Sequence, residues 1–151
     1  MGMGGLRRLK RKGAGRYAVE PLRGRPESHG KEKLSAVILD FARPFTDNVG
    51  DDQFRIAIEM AIFCWNIALL PEDQQERQLR RVAREEAEGK PAGFADDMMT
   101  WSRLLIHRKK TLFAHDRRMV MDFTIEDDGD EFHLSVVSTP APSSPSAWPG
   151  L

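Results

Sequence analysis

Four histidines (His29, His107, His115, His133), one cysteine (Cys64) and the carboxylates Glu126, Asp127, Asp128, Asp130 and Glu131 have the chemical types needed for proton transfer, nucleophilic attack or metal binding. The carboxylate run beside His133 is oxygen-rich, which suits a hard divalent cation. Its spacing does not follow the calcium-binding loop, because Gly129 is not the sixth position behind alternating acidic ligands. A solvated acidic hairpin tip that discourages edge-to-edge aggregation is the simpler account, and no metal ligand is assigned. The histidines have no ligand spacing, and no HExxH, GxSxG, Walker-type phosphate loop, GxGxxG or paired CxxC occurs. Cys64 lies in an apolar run with no histidine near it in sequence, so it reads as a small buried hydrophobe. No catalytic residue and no cofactor are expected.

The cations form two groups that could contact phosphate. Arg7, Arg8, Lys10, Arg11, Lys12 and Arg16 lie in the first 33 residues, and Arg108, Lys109 and Lys110 lie in the basic segment His107–Arg118. Such groups bind nucleic acid by displacing counterions, without sequence preference. Tyr17 is the one aromatic residue of the first group, so a base-stacking platform is missing there. In the second group, compensation of a helix dipole explains part of the charge without a ligand. Two further readings of the first group are a solvated tail and a return onto the acidic tip Glu126–Glu131, held by long-range attraction that salt would screen.

The formal net charge of zero conceals this division. Residues 1–33 hold ten basic and three acidic side chains, while 34–151 hold thirteen basic and twenty acidic. The first segment has few large apolar residues and repeated glycines, which predicts a disordered basic arm. No apolar run of signal-peptide length follows its cluster, the first 27 residues contain no serine, and Leu6 stands where a myristoylation signal needs Ser or Thr. A single cysteine rules out an internal disulfide. These points lead to an expectation of a cytoplasmic protein with no membrane partner. The length of 151 residues suits one domain.

Four helices and a hairpin are expected to position these groups. Leu34, Val37, Ile38, Phe41 and Ala42 recur at helical spacing, and Pro44 should end or kink that helix near Ala42 or Arg43. Between Ile56 and Leu70, thirteen of fifteen residues are apolar, which predicts a helix at the centre of a bundle, with Asp51 or Asp52 as its cap. Asp52, Arg55, Glu59 and Asn66 line one narrow polar stripe on it. That stripe faces solvent with Arg55 and Glu59 paired, or forms a notch inside the bundle. Glu72–Glu88 reads as a charged surface helix with a narrow stripe of Leu79, Val82 and Ala83, and with i,i+4 pairs Asp73–Arg77, Glu76–Arg80 and Arg84–Glu88. Phe94, Met98, Trp101, Leu105 and Leu112 trace the inner face of a fourth helix, widened by Leu104, which leaves His107 exposed. A two-residue turn at Asp128-Gly129 sets Ile125 opposite Phe132, Phe123 opposite Leu134 and Met121 opposite Val136, with His133 opposite Thr124. The last twelve residues, PAPSSPSAWPGL, have the composition of a polyproline-II tail, where Trp148 is either exposed or a docking anchor.

AIFCWNIALLP (61–71), DRRMVMDFTI (116–125) and FHLSVVST (132–139) resemble a pattern of small bacterial proteins to which no activity is attached. The resemblance spans roughly 33–139 and implies a buried helix and a hairpin, and nothing of function. The expected architecture is α+β: a bundle of about four helices followed by a C-terminal β-hairpin over 34–138, with an arm at 1–33 and a tail at 139–151. The expected function is a non-catalytic interaction or adaptor protein that shows its third and fourth helices or its hairpin edge to an unidentified protein or to itself. Nucleic acid bound through the nine cations named above is the alternative.

Overall fold

The computed structural model describes residues 3–12, 16–19, 32–47, 49–127, 129 and 131–142. Its elements are β1 (Met3–Lys12), β2 (Arg16–Val19), α1 (Leu34–Thr46), α2 (Asp51–Leu69), α3 (Glu72–Glu86), α4 (Phe94–Leu112), β3 (Arg118–Asp127) and β4 (Glu131–Pro140). Four helices followed by an antiparallel hairpin make this a small α+β fold.

α2 is the central helix. Phe54, Ile58, Ala61, Ile62, Cys64, Trp65, Ile67 and Leu69 are buried on it, and α1, α3, α4 and β3 all lie against it. Its N-cap is Gly50, without a side-chain hydrogen bond; Asp51 and Asp52 sit instead in the first turn, where their charge suits the helix dipole. Trp65, Phe41 and Phe113 meet edge-on, at ring separations of 5.3, 5.6 and 5.9 Å. Phe54 stacks on Phe132 at 5.0 Å and ties α2 to the sheet.

α1 does not stop at Ala42 or Arg43. It runs through Pro44 to Thr46. A proline has no N–H, so the carbonyl of Asp40, one turn back, loses its helical donor. Arg108 of α4 replaces that donor: Nη2 bonds the Asp40 carbonyl at 3.1 Å and Nε bonds the Phe41 carbonyl at 3.0 Å.

β3 and β4 pair with Ile125 opposite Leu134, Phe123 opposite Val136 and Asp127 opposite Phe132. The register expected from a two-residue turn is thus displaced by two. A displacement of two keeps every side chain on its face, because strand side chains alternate with period 2. Phe132, Leu134 and Val136 accordingly point into the core. The register shifts again between Val120 and Asp122. This bulge lets Val120 and Ile125, of opposite parity, both face inward, and it turns Met121 out to solvent. β4 continues to Pro140, into the segment expected to be tail, because the strand terminus needs no donor there. Residues 143–151, with Trp148, lie outside the described residues.

The sheet has four strands in the order β2-β1-β4-β3, all antiparallel. Residues 3–12 and 16–19 are therefore strands, where a disordered arm was expected. The free edge of β4 supplies a row of unpaired backbone groups, and β1 satisfies them. Composition alone undervalues a segment that is stabilised by backbone pairing with a distant strand. The register sets Lys10 opposite Glu131, Leu9 opposite Phe132 and Arg8 opposite His133, so the basic strand does return to the base of the acidic tip.

Candidate functional site

The polar stripe of α2 faces neither solvent alone nor a notch in the bundle. It closes the outer edge of β3. Asn66 donates from Nδ2 to the Val120 carbonyl and accepts the Val120 N–H at Oδ1, both at 2.9 Å. Trp65 donates its indole N–H to the Arg118 carbonyl at 2.7 Å, and Arg55 donates to the Ile125 carbonyl at 3.1 Å. Local carboxylates take two more outward groups: Asp116 accepts the Arg118 N–H at 3.1 Å and Asp122 accepts the Phe123 N–H at 2.9 Å. The capped positions are even-numbered before the bulge and odd-numbered after it, as the change of parity requires. Asp52 and Glu59 remain exposed. With β1 on the other side, neither edge of the hairpin is an open template for a further strand along this stretch.

The basic segment near the end of α4 is mostly committed internally. Arg108 caps α1 as described above. Lys109 is 3% exposed, donates from Nζ to the carbonyls of Phe113 and Asp116, both at 2.7 Å, and stands 4.3 Å from the centroid of the Trp65 ring. Burial pushes its pKa down to about 8, against the attraction of Asp116. Lys110 pairs with Glu72 of α3 at 2.6 Å. The expected phosphate patch is thus partly dispersed: Arg108 and Lys109 hold backbone carbonyls, while His107, Lys110, His115 and Arg117 stay on the surface. No sequence spacing marks a cation that caps a carbonyl of another helix. Of the remaining candidates, Arg7, Arg8, Lys10, Arg11 and Lys12 share β1, and Arg16 opens β2.

Cys64 is fully buried, and burial pushes its thiol up to about 12. It is a neutral thiol at physiological pH, inaccessible to a substrate. Among the described residues, no group of three or more His, Cys, Asp and Glu is placed to hold a metal ion. His133 lies opposite Glu126 in register, with Glu131 3.7 Å from its Nε2.

The inner face of α4 is rotated from the expected one. Met99, Ser102, Leu105, Ile106 and Lys109 are buried. Trp101 is 49% exposed, Leu104 53% and Leu112 63%. These three point outward on one side of the helix. Phe45 of α1 packs edge-on against Trp101 at 5.3 Å and holds the indole ring in place.

On α3, Leu79 and Ala83 are buried as expected, and Glu76 pairs with Arg80 at 3.1 Å. Arg77 instead bonds Gln74, and Arg81 pairs with Glu85 at 3.4 Å. Glu88 lies beyond the end of the helix. Arg103 of α4 reaches the same Oε2 of Glu76 at 2.6 Å. The hydrogen bond from Arg103, joined by Arg80, holds the Glu76 carboxyl below its ordinary pKa.

No helix of the described residues is long and apolar enough to cross a membrane. Comparison with models of protein families, with curated proteins and with solved structures finds no match to this chain.

Proposed function

We propose that the protein is a non-catalytic interaction protein of the cytoplasm, which docks the apolar face of a partner protein's helix against α4. The observation that carries this reading is the outward row Trp101, Leu104 and Leu112. Large apolar side chains grouped on one face lose free energy when covered. Trp is the side chain most enriched among residues that dominate binding energy, and Phe45 limits the ordering cost of this one. The hairpin edges are covered by α2 and β1. A row of three side chains suits a small, reversible contact rather than a permanent one.

The test is site-specific photocrosslinking with benzoylphenylalanine at Leu104, in the full-length chain at native abundance. A discrete adduct from position 104, absent from position 85 on α3 and lost with Trp101→Ser, is the expected result. An adduct of twice the chain mass would make the partner a second copy instead. Equal, diffuse adducts from both positions would overturn the reading.

A further inference from the structure

The α3–α4 interface opens into a cleft at the end nearest the connecting loop. Its floor is apolar: Ala83 of α3, Ala87 just after it, and Ala95 and Met99 of α4. Alanines at three of these positions keep the helices from filling the space between them. The cleft measures about 630 Å³ and is broadly open to solvent. Arg80, Arg84 and Arg103 line its walls, with Asp96 as the one carboxylate among the lining residues.

The charge of these arginines is incompletely answered. Arg80 and Arg103 converge on one oxygen of one carboxylate, Oε2 of Glu76. The Arg84 side chain has no hydrogen bond or ion pair among the described residues; its expected partner Glu88 lies beyond the helix end. Guanidinium groups bind planar and tetrahedral oxyanions with paired N–H donors, and they do so best beside apolar surface that excludes water. An apolar floor below three guanidiniums selects a ligand with two parts.

We infer that this cleft binds a small molecule that carries an oxyanion, phosphate or carboxylate, on an apolar body. The oxyanion sits between Arg84 and Arg103, and the apolar body covers Ala83, Ala87 and Met99. Glu76 competes with the ligand for Arg80 and Arg103, so it sets the affinity. The site is separate from the outward row of Trp101, Leu104 and Leu112, and does not depend on that row's role.

The test uses the full chain labelled with nitrogen-15 and titrated separately with phenyl phosphate, benzoate and inorganic phosphate. Side-chain Nε–H signals of Arg80, Arg84 and Arg103 and the amides of Ala83, Ala87 and Ala95 should shift together. Phenyl phosphate or benzoate should bind more tightly than inorganic phosphate, and the tighter of the two identifies the oxyanion. Arg84→Gln should weaken binding by about tenfold. Glu76→Gln should strengthen it by roughly two- to fivefold as Arg80 and Arg103 are released. Arg84 is exposed and Glu76 half-buried in surface ion pairs, so both variants should fold, as their spectra will show. Equal shifts at the distant Arg43 and Arg117, or Arg84→Gln with unchanged affinity, would overturn the inference.

Discussion

Replacing Asn66 by alanine removes both partners of Val120, the N–H and the carbonyl, at the bulge of an edge strand. Each hydrogen bond measures 2.9 Å, and Val120 is buried, so water reaches these groups only if β3 moves away from α2. An unsatisfied buried backbone group costs about 1–3 kcal/mol. Partial relaxation of the edge lowers the sum, and the expected loss is roughly 2–4 kcal/mol. That is a large share of the about 5–15 kcal/mol that holds a domain together, yet the variant should fold. Asn66→Asp separates the two bonds. Its carboxylate still accepts the Val120 N–H but has no donor for the carbonyl and meets it with like partial charge. It should therefore be no more stable than alanine, although it is nearly isosteric with asparagine. Urea titration gives the stability change, and amide exchange at Val120 shows whether the edge has opened. A loss below about 0.5 kcal/mol for alanine, the size of an ordinary surface substitution, would refute the reasoning, as would Val120 exchange unchanged from the parent.

Arg108→Met should cost about 1–2 kcal/mol by uncapping Asp40 and Phe41. In a Pro44→Ala background, where a backbone N–H returns to Asp40, the same change should cost less, and a double-mutant cycle with no coupling would reject the capping role. Stability should rise with pH from about 8 to about 9, because the unfolded chain then holds the Lys109 proton (ordinary pKa 10.5) that the folded chain with its pKa of about 8 releases. Above about 9 the Cys64 thiol, raised to about 12 in the fold, acts with the opposite sign, so urea midpoints should level off and then fall, and Cys64→Ala should remove that fall. Glu76→Gln should change stability by less than about 1 kcal/mol, since the pairs it breaks are exposed; a larger loss by thermal melting would mean that Glu76 holds α3 onto α4.

The parts of this fold legible in the sequence are those set by dense local pattern. The apolar run Ile56–Leu70 could hardly be anything but a central helix, and the strand parity around Asp128-Gly129 survived a wrong turn length. The phase of α4 was not legible because its inner face contains Ser102 and Lys109, polar residues that an apolar periodicity skips. It borrows Trp101 and Leu112 in their place. Lys109 is buried because the carbonyls of Phe113 and Asp116 and the face of Trp65 converge on it. Two of those three partners lie after the helix and one lies on another element. The basic strand β1 was misread for a related reason: its stabilisation comes from a backbone edge that lies more than a hundred residues away in the chain.

The same tertiary commitments decide which surfaces remain for function. A two-stranded ribbon offers two edges, and this one has spent both, one on β1 and one on the Arg55, Trp65 and Asn66 side chains of α2. Three cations that looked like a phosphate patch are divided among a helix that runs through a proline, a buried turn and a surface pair. Ile56, Met121 and Val137 are exposed singly on other elements, whereas α3 and α4 together keep the outward row Trp101, Leu104 and Leu112 and the arginines around Glu76. α3 has only Gln75, Leu79 and Ala83 buried, and it meets the body through α4 and the end of α2. A ligand that bridges Arg84 of α3 and Arg103 of α4 would therefore stiffen the least anchored helix against the helix that carries Trp101. Binding in the cleft and docking on α4, if both occur, are expected to favour one another, since each requires α4 to be held in the same place.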